Sequence, residues 1–273
     1  MNLHHPKSIL ITGASSGIGA ALARCYAAQG ITLHLGGRNP ARLAEVGAAC
    51  SARGATAHIR EQDVTDRQGM TAWVTQAFAV GPIDLVIASA GISGGTGRRE
   101  KRGGTGASES EPREQIERIF AVNVGGAINT LIPAMEAMRG IAAPGGGPRG
   151  QIALMSSLAG FRGLPGAPAY AASKAAVRSL GEGLRGIAGR AGIRVSVICP
   201  GFVKTPLTAS NPYPMPFLLT AERAAAIIRR GLAADRSRIA FPWPLYALVW
   251  TVAALPPGLT DPILARLPRK PAI

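Results

Sequence analysis

Tyr170 and Lys174 stand four residues apart in the run Tyr-Ala-Ala-Ser-Lys. On a helix that spacing brings both side chains to one face, about a turn apart. A phenol with an ordinary pKa of about 10 exchanges protons poorly near neutrality, and a neighbouring ammonium favours its phenolate. The pair is therefore a candidate acid/base for an oxygen that gains or loses a proton. Ser157 closes the apolar run 151–156, in Met155-Ser-Ser157-Leu-Ala-Gly160. The end of a parallel strand opens onto a ligand crevice, where a hydroxyl can orient a carbonyl. Asn123, in Ala-Val-Asn-Val within the helical stretch 112–138, can hold a water that returns protons to Lys174. Each residue also has a plain structural reading: a strand-end serine, an interior asparagine bonding backbone, a lysine on a helix face.

The run Ser8-Ile-Leu-Ile-Thr12 leads directly into Gly13-Ala-Ser-Ser-Gly17-Ile-Gly19 and then into an Ala-rich helical stretch. In that order, Gly13 permits the tight turn, Gly17 lets backbone approach a pyrophosphate, and Gly19 lets the helix pack closely on the sheet. The helix N-terminus then offers free amides and a partial positive charge to phosphates. No Lys-Ser or Lys-Thr follows, so a nucleoside-triphosphate loop is not supported. The second strand ends in Gly37-Arg38, where an acidic residue would accept the adenosine ribose hydroxyls. Arg38 suits a 2′-phosphate instead, which favours NADP over NAD. A solvated-loop arginine is the competing reading. Asp63-Val64 follows the third strand, and Asp63 is either a partner for the adenine amino group or the cap of the next helix. With such a cofactor bound, Lys174 and the positive ring of an oxidised nicotinamide would together lower the Tyr170 phenol.

These residues need strands that end together and helices that cross between them. Apolar runs at 8–12, 32–36, 55–60, 83–89, 151–156, 193–199 and 238–241 alternate with helical periodicity near 17–29, 40–52, 66–79, 112–138, 168–189 and 220–234. The alternation predicts an α/β fold: a doubly wound, Rossmann-type parallel sheet of seven strands with helices on both faces. The expected organisation is a dinucleotide-binding and catalytic domain over 1–241 and an apolar, basic extension over 242–273. Gly-rich stretches at 91–107 and 140–150 read as surface loops.

Composition sets further bounds. In 273 residues, 47% are hydrophobic and 16% charged, a globular balance with ample core and no fibrous or disordered signature. Cys25, Cys50 and Cys199 lie far apart and form neither a disulfide framework nor a metal-ligand pattern, so no metal is expected. The N-terminus carries no secretory pattern, and a cytoplasmic location is expected. A formal net charge of +15 attracts polyanions. The basic residues are mostly scattered, however, and the run Arg98, Arg99, Lys101 and Arg102 lacks interleaved aromatics, so nucleic acid is not an expected partner.

Thr12-Gly13-x-x-x-Gly17-x-Gly19, Asn123, Ser157, Tyr170-x-x-x-Lys174 and Pro200-Gly201-x-Val203-x-Thr205, in this order and at these intervals, resemble the short-chain dehydrogenase/reductase family. The resemblance covers roughly residues 7–241 and the glycine spacing is similar to its compact, single-domain branch. It implies Tyr170 as catalytic acid/base, Lys174 lowering its pKa and binding the nicotinamide ribose, Ser157 orienting the carbonyl, and Asn123 supporting a proton relay. The cofactor set it implies is Gly13, Ser15, Ser16, Gly17, Ile18, Gly19, Arg38, Asp63, Val64, Ala90, Gly91, Tyr170, Lys174, Pro200, Gly201, Val203 and Thr205, with Thr205 near the carboxamide. Two departures stand out. The family's Asn-Asn-Ala-Gly is Ala88-Ser89-Ala90-Gly91 here, which predicts a local change in how this loop is tied to the sheet. The stretch between Gly91 and Asn123 is also unusually long.

The resulting expectation is an NADPH-dependent oxidoreductase of a carbonyl or alcohol, with Asn211-Pro-Tyr-Pro-Met-Pro-Phe suggesting a bulky hydrophobic ketone. The alternatives are a nucleotide-sugar epimerase or dehydratase, disfavoured by the lack of an extra substrate domain, and a non-catalytic dinucleotide-binding regulator. A Ser-His-Asp hydrolase is disfavoured because all four histidines fall early in the chain. Ile239–Leu255 carries no charge and includes Trp243, Tyr246 and Trp250, while 220–273 holds eight Lys or Arg against three Asp or Glu. Prolines limit its helix to about 245–255, roughly 16 Å and too short to span a bilayer. Two readings stand: peripheral attachment to an anionic membrane face, or packing of the aromatics on the protein's own core or in a homo-oligomer interface.

Overall fold

The computed structural model describes residues 5–97, 111–141, 147–209 and 211–272. The basic run at 98–102 lies outside them. Seven strands, β1 (Ser8–Thr12), β2 (Thr32–Gly37), β3 (Thr56–Glu61), β4 (Leu85–Ala88), β5 (Gly150–Met155), β6 (Ile193–Pro200) and β7 (Arg238–Phe241), form one sheet in the order β3-β2-β1-β4-β5-β6-β7. All neighbours pair in parallel. The order reverses between β1 and β4, and a crevice opens beyond their C-terminal ends at such a switch point.

Helices α1 (Gly17–Tyr26), α2 (Pro40–Ser51), α3 (Arg67–Val80), α4 (Arg113–Phe120), α5 (Gly126–Gly140), α6 (Pro168–Arg190) and α7 (Ala221–Ala233) cover the two faces. One core layer packs Leu22, Ile9, Ile11, Leu33, Leu35 and Ile228 together, and the other packs Leu10, Val86, Ile152, Trp73, Leu131 and Val177. Central strands contribute to both layers because both faces of the sheet are covered, which explains their continuous apolar runs.

Several expected boundaries shift for identifiable reasons. β4 begins at Leu85 rather than at residue 83, because the Asp84 carboxylate accepts from the Lys7 and Ser8 amides and starts β1 beside it. The helix expected over 112–138 is broken into α4 and α5 by a wide π turn, Ala121–Gly125, that contains Asn123. Asp63 is not a helix cap: Asp66 caps α3 by accepting from the Gly69 amide, while Asp63 closes a local turn with Thr65. The loop after β4 is tied down by Thr12, whose hydroxyl accepts from the Ser89 and Ala90 amides at 3.1 and 3.3 Å.

After β7 the chain continues into α8 (Trp243–Ala254) and α9 (Pro257–Leu264). Pro244 falls in the first turn of α8, where its missing amide has no helical partner to lose, so the helix starts two residues before 245. At 12 residues α8 is about 18 Å long and cannot cross a bilayer. Arg113–Gly140 has the length and hydropathy of a span, but 56% of its most apolar stretch is buried against the rest of the chain, as in a core helix.

Candidate active site

A cavity of about 1020 Å³ lies beyond the C-terminal strand ends and is lined by the β1–α1 loop, Arg38, Asp63, Ala90, Gly91, Ser157, Tyr170, Lys174 and the segment after Pro200, while Asn123 stands behind its wall. At its dinucleotide end Gly13 and Gly17 adopt φ values of +67° and +56°, which side chains resist. A Cβ on Gly13 would sit 2.7 Å from the Ala90 Cα, and one on Gly17 would sit 3.2 Å from the Thr205 Cγ2. Gly19 is required by a different contact from the expected one: it packs on the Gly13 carbonyl of the loop, not on the sheet. Ser16 stands at the N-cap of α1 without a side-chain cap bond. The amides of this turn are left for an anion, as the charge of a helix N-terminus favours.

Arg38 lies exposed at the far corner of the cavity, and Arg42, on the first turn of α2, joins it. Sequence reasoning missed Arg42. Its signal is the spacing of four from Arg38 across the Asn39-Pro40 helix start, where Asn39 accepts from the Arg42 amide. Burial raises the Asp63 carboxyl, but hydrogen bonds from Thr65 and the charges of Arg38 and Arg118 outweigh it and hold the group below its ordinary range. Asp63 is thus an ionised acceptor facing the same corner.

At the reactive end, α6 carries Tyr170 and Lys174. The Lys174 ammonium is buried, donates to the Met155 carbonyl at 2.9 Å and lies 5.8 Å from the centre of the Tyr170 ring. Burial pulls its pKa down to about 8, with the Cys199 thiolate form opposing weakly. Tyr170 departs from expectation. Burial pushes the phenol above its ordinary range, the Ser157 hydroxyl pulls it back, and the nearby Tyr213 phenol adds to the rise. The protein by itself therefore holds Tyr170 protonated at neutral pH, poised to donate. Ser157 is fixed as the cap of a 3-10 turn, Leu158–Phe161: it accepts from the Ala159 amide at 3.1 Å and donates to the Pro200 carbonyl at 3.3 Å.

The Asn123 side chain makes three hydrogen bonds within the protein. Its Oδ1 accepts from the Ile92 amide at 2.8 Å, and its Nδ2 donates to the Ile92 carbonyl at 3.0 Å and to the Ser173 hydroxyl at 2.9 Å. Ser173 in turn donates to the Tyr170 carbonyl at 2.8 Å. The side chain is spent on binding the β4 loop to α6, so it clamps the reactive helix. Gly91 completes the clamp, since a Cβ there would lie 3.2 Å from Asn123 Oδ1 and 3.3 Å from Lys174 Nζ. His34 and His58 stack on each other on β2 and β3, with ring centres 5.1 Å apart, and neither lines the cavity.

The comparisons with known proteins agree with this geometry. The family model described as short chain dehydrogenase matches residues 7–214. The chain is 36% identical over 265 residues to an uncharacterized oxidoreductase of Myxococcus xanthus, covering 96% of this chain and 97% of that one. It is 37% identical over 268 residues to an uncharacterized oxidoreductase of Mycobacterium tuberculosis, covering 93% and 96%. A crystal structure of a short-chain type dehydrogenase/reductase from Mycobacterium marinum superimposes with a TM-score of 0.72 at 26% identity, over 86% of this chain and 93% of that one. The chain belongs to the short-chain dehydrogenases and is an oxidoreductase of that family, whose members use a nicotinamide dinucleotide.

The Asn123 clamp makes a direct prediction. Asn123→Ala leaves the Ile92 amide and carbonyl without partners, each at a cost of about 1–3 kcal/mol. Urea unfolding should show a loss of roughly 2–4 kcal/mol. Asn123→Asp, which keeps the acceptor and loses the donors, should fall between that variant and the wild type.

Proposed function

We propose that the chain is an NADP(H)-dependent reductase of a hydrophobic ketone, running reversibly toward the alcohol. The observation that carries the reading is the joint position of Ser157, Tyr170 and Lys174 on one wall of the cavity that also holds the glycine turn and Arg38. A bound nicotinamide dinucleotide supplies the hydride acceptor or donor. The chain's residues do the rest. The Ser157 hydroxyl, held by the Ala159 amide and turning its one proton from the Pro200 carbonyl to the substrate, orients the carbonyl oxygen, and Tyr170 gives that oxygen its proton. Lys174, buried beside the ring, steadies the charge left on the phenol and hydrogen-bonds the ribose. General acid catalysis of this kind contributes about 10²–10⁴-fold.

Arg38 and Arg42 support NADP over NAD, because two guanidiniums at the ribose corner match a 2′-phosphate. Leu245, Leu248, Val249, Val252, Leu264 and Leu267 of the C-terminal segment line the other end with Tyr213 and Pro216, which favours a bulky apolar substrate. Residues 242–273 thus serve as the cover of the substrate end.

The C-terminal cover also supports a peripheral site on an anionic membrane. Of the three aromatics, Tyr246 packs inward, edge-on to Phe161 at 5.5 Å and accepting from Arg238, whereas Trp243 and Trp250 are 75% and 57% exposed. Leu248, Leu255, Leu259, Ile263 and Leu267 extend the exposed apolar face, and Arg266 and Arg269 flank it. Apolar aromatics with basic flanks suit an anionic lipid interface.

Three measurements test these readings. Tyr170→Phe should lower turnover at least about a hundredfold while leaving NADPH affinity near wild type; more than a tenth of the wild-type rate would remove Tyr170 from the chemistry. Arg38→Asp should shift the ratio of kcat/KM values from NADPH toward NADH, and an unchanged ratio returns Arg38 to the solvent. Full-length protein should float with phosphatidylglycerol vesicles at low salt, and Trp243→Ala/Trp250→Ala should not. If the wild type stays in the soluble fraction, the exposed face belongs to a subunit interface.

A further inference from the structure

Lys270 lies in the last few residues of the chain, yet only 6% of it is exposed. Its surroundings are built. The Gly97 amide donates to the Lys270 carbonyl at 2.7 Å, the Gly95 amide to the Pro271 carbonyl at 3.0 Å, and the Ala272 amide to the Gly97 carbonyl at 3.1 Å. On the other side the Lys270 amide reaches the Gly166 carbonyl, in the loop between Ser157 and Tyr170. The tail is therefore a strap laid across the substrate end of the cavity, and Lys270 is the residue it turns inward.

The ammonium is incompletely matched there. Among the described residues its one hydrogen-bond partner is the Leu207 carbonyl at 2.8 Å, which leaves two donors, and no carboxylate among them pairs with it. Burial pulls its pKa down to about 8 without an opposing acid. Arg162, another cation lining the cavity, differs in pairing with a carboxylate, that of Asp261 at 3.1 Å, although its Nε is buried without a partner among the described residues. A buried ammonium without a counter-charge costs several kcal/mol and marks a site where an anion is received. The neighbouring walls are apolar, formed by Leu264, Leu267, Val249 and Val252.

We infer that Lys270 is a specificity-determining residue that receives the carboxylate of an amphipathic substrate whose apolar body fills the cavity. The inference rests on the reductase reading above and narrows its substrate class to oxo-acids with a long apolar chain or ring system. A carboxylate on a lysine forms a hydrogen bond with charge on both partners, stronger than the bond from the ammonium to the uncharged Leu207 carbonyl. No covalent step is involved: Lys270 positions the substrate and Tyr170 remains the proton donor.

The test uses the full chain saturated with NADPH, beside which neither an alcohol nor a carboxylate has a hydride acceptor, and two dead-end ligands of equal length, decanoate and decan-1-ol, measured by calorimetry. Wild type should bind decanoate at least about tenfold more tightly than decan-1-ol, the value of one charge-assisted bond. Lys270→Met should lose that preference and keep its affinity for decan-1-ol, while Lys270→Arg should retain most of it. The urea unfolding midpoint should be equal in wild type and Lys270→Met, showing that the strap is intact; a parallel loss of both ligands and of that midpoint would make Lys270 a structural tie and overturn the proposal. Equal affinities of the wild type for decanoate and decan-1-ol also overturn it. So does a Lys270→Met variant that weakens NADPH but spares decanoate, since the ammonium would then serve a cofactor phosphate. Failure to oxidise NADPH with either 2-decanone or 9-oxodecanoate counts against the reductase reading alone, because decanoate binding is read independently of turnover.

Discussion

An ammonium buried beside a phenol is the interaction on which the rest of this site depends. Lys174 is 3% exposed, and among the described residues its ammonium donates to one carbonyl, that of Met155, at the end of β5. Holding a charge there is costly, and the surroundings carry the cost in detail. β5 must end where its carbonyl meets the ammonium. α6 must begin early enough to bring Tyr170 over it, and the loop after β4 must be glycine where it passes both groups. Ser156 reinforces this by donating to the Lys174 carbonyl at 2.7 Å, which ties the strand end to the same helix.

The clamp around Asn123 extends the logic from two elements to four. The π turn that interrupts α4 and α5 places one amide group against Ile92 and Ser173 together, joining the β4 loop to α6. π bulges recur at functional sites because they aim a side chain that regular helical geometry would turn away. The cost of the irregular turn is offset by three hydrogen bonds made in a buried place, where a satisfied polar group is worth more than on the surface. Thr12 plays the corresponding part on the β1 side, holding Ser89 and Ala90 so that the cavity wall continues from the cofactor end to the reactive end.

The C-terminal segment gives the cavity its second character. Its inward residues are apolar and carry one lysine, while its outward residues are apolar and carry two tryptophans. An element of 12 residues cannot bury both faces against a single body, so one face must look for something outside the chain. Tyr246 anchors the segment by packing on Phe161, whose ring also receives the guanidiniums of Arg178 and Arg238. The ion pair of Arg238 with Glu182 then fixes β7 to α6, so the cover and the reactive helix share one support.

The linear order of residues determined the sheet, because the central strands are runs of apolar residues and the crossover helices between strands carry their own period. It also determined the glycine turn and the spacing of Tyr170 and Lys174, since these are local features that need no distant partner to be read. Tertiary structure decided what depends on contacts across long separations. Asn123 reads as an interior helical residue until Ile92, 31 positions away, and Ser173, 50 positions away, are seen to use its amide. Lys270 reads as a tail charge until the strap brings it to Leu207, 63 positions earlier. The protonation of Tyr170 was decided in the same way. Local spacing puts an ammonium beside the phenol, but burial by the whole fold raises the phenol above its ordinary range and outweighs the opposing hydrogen bond from Ser157.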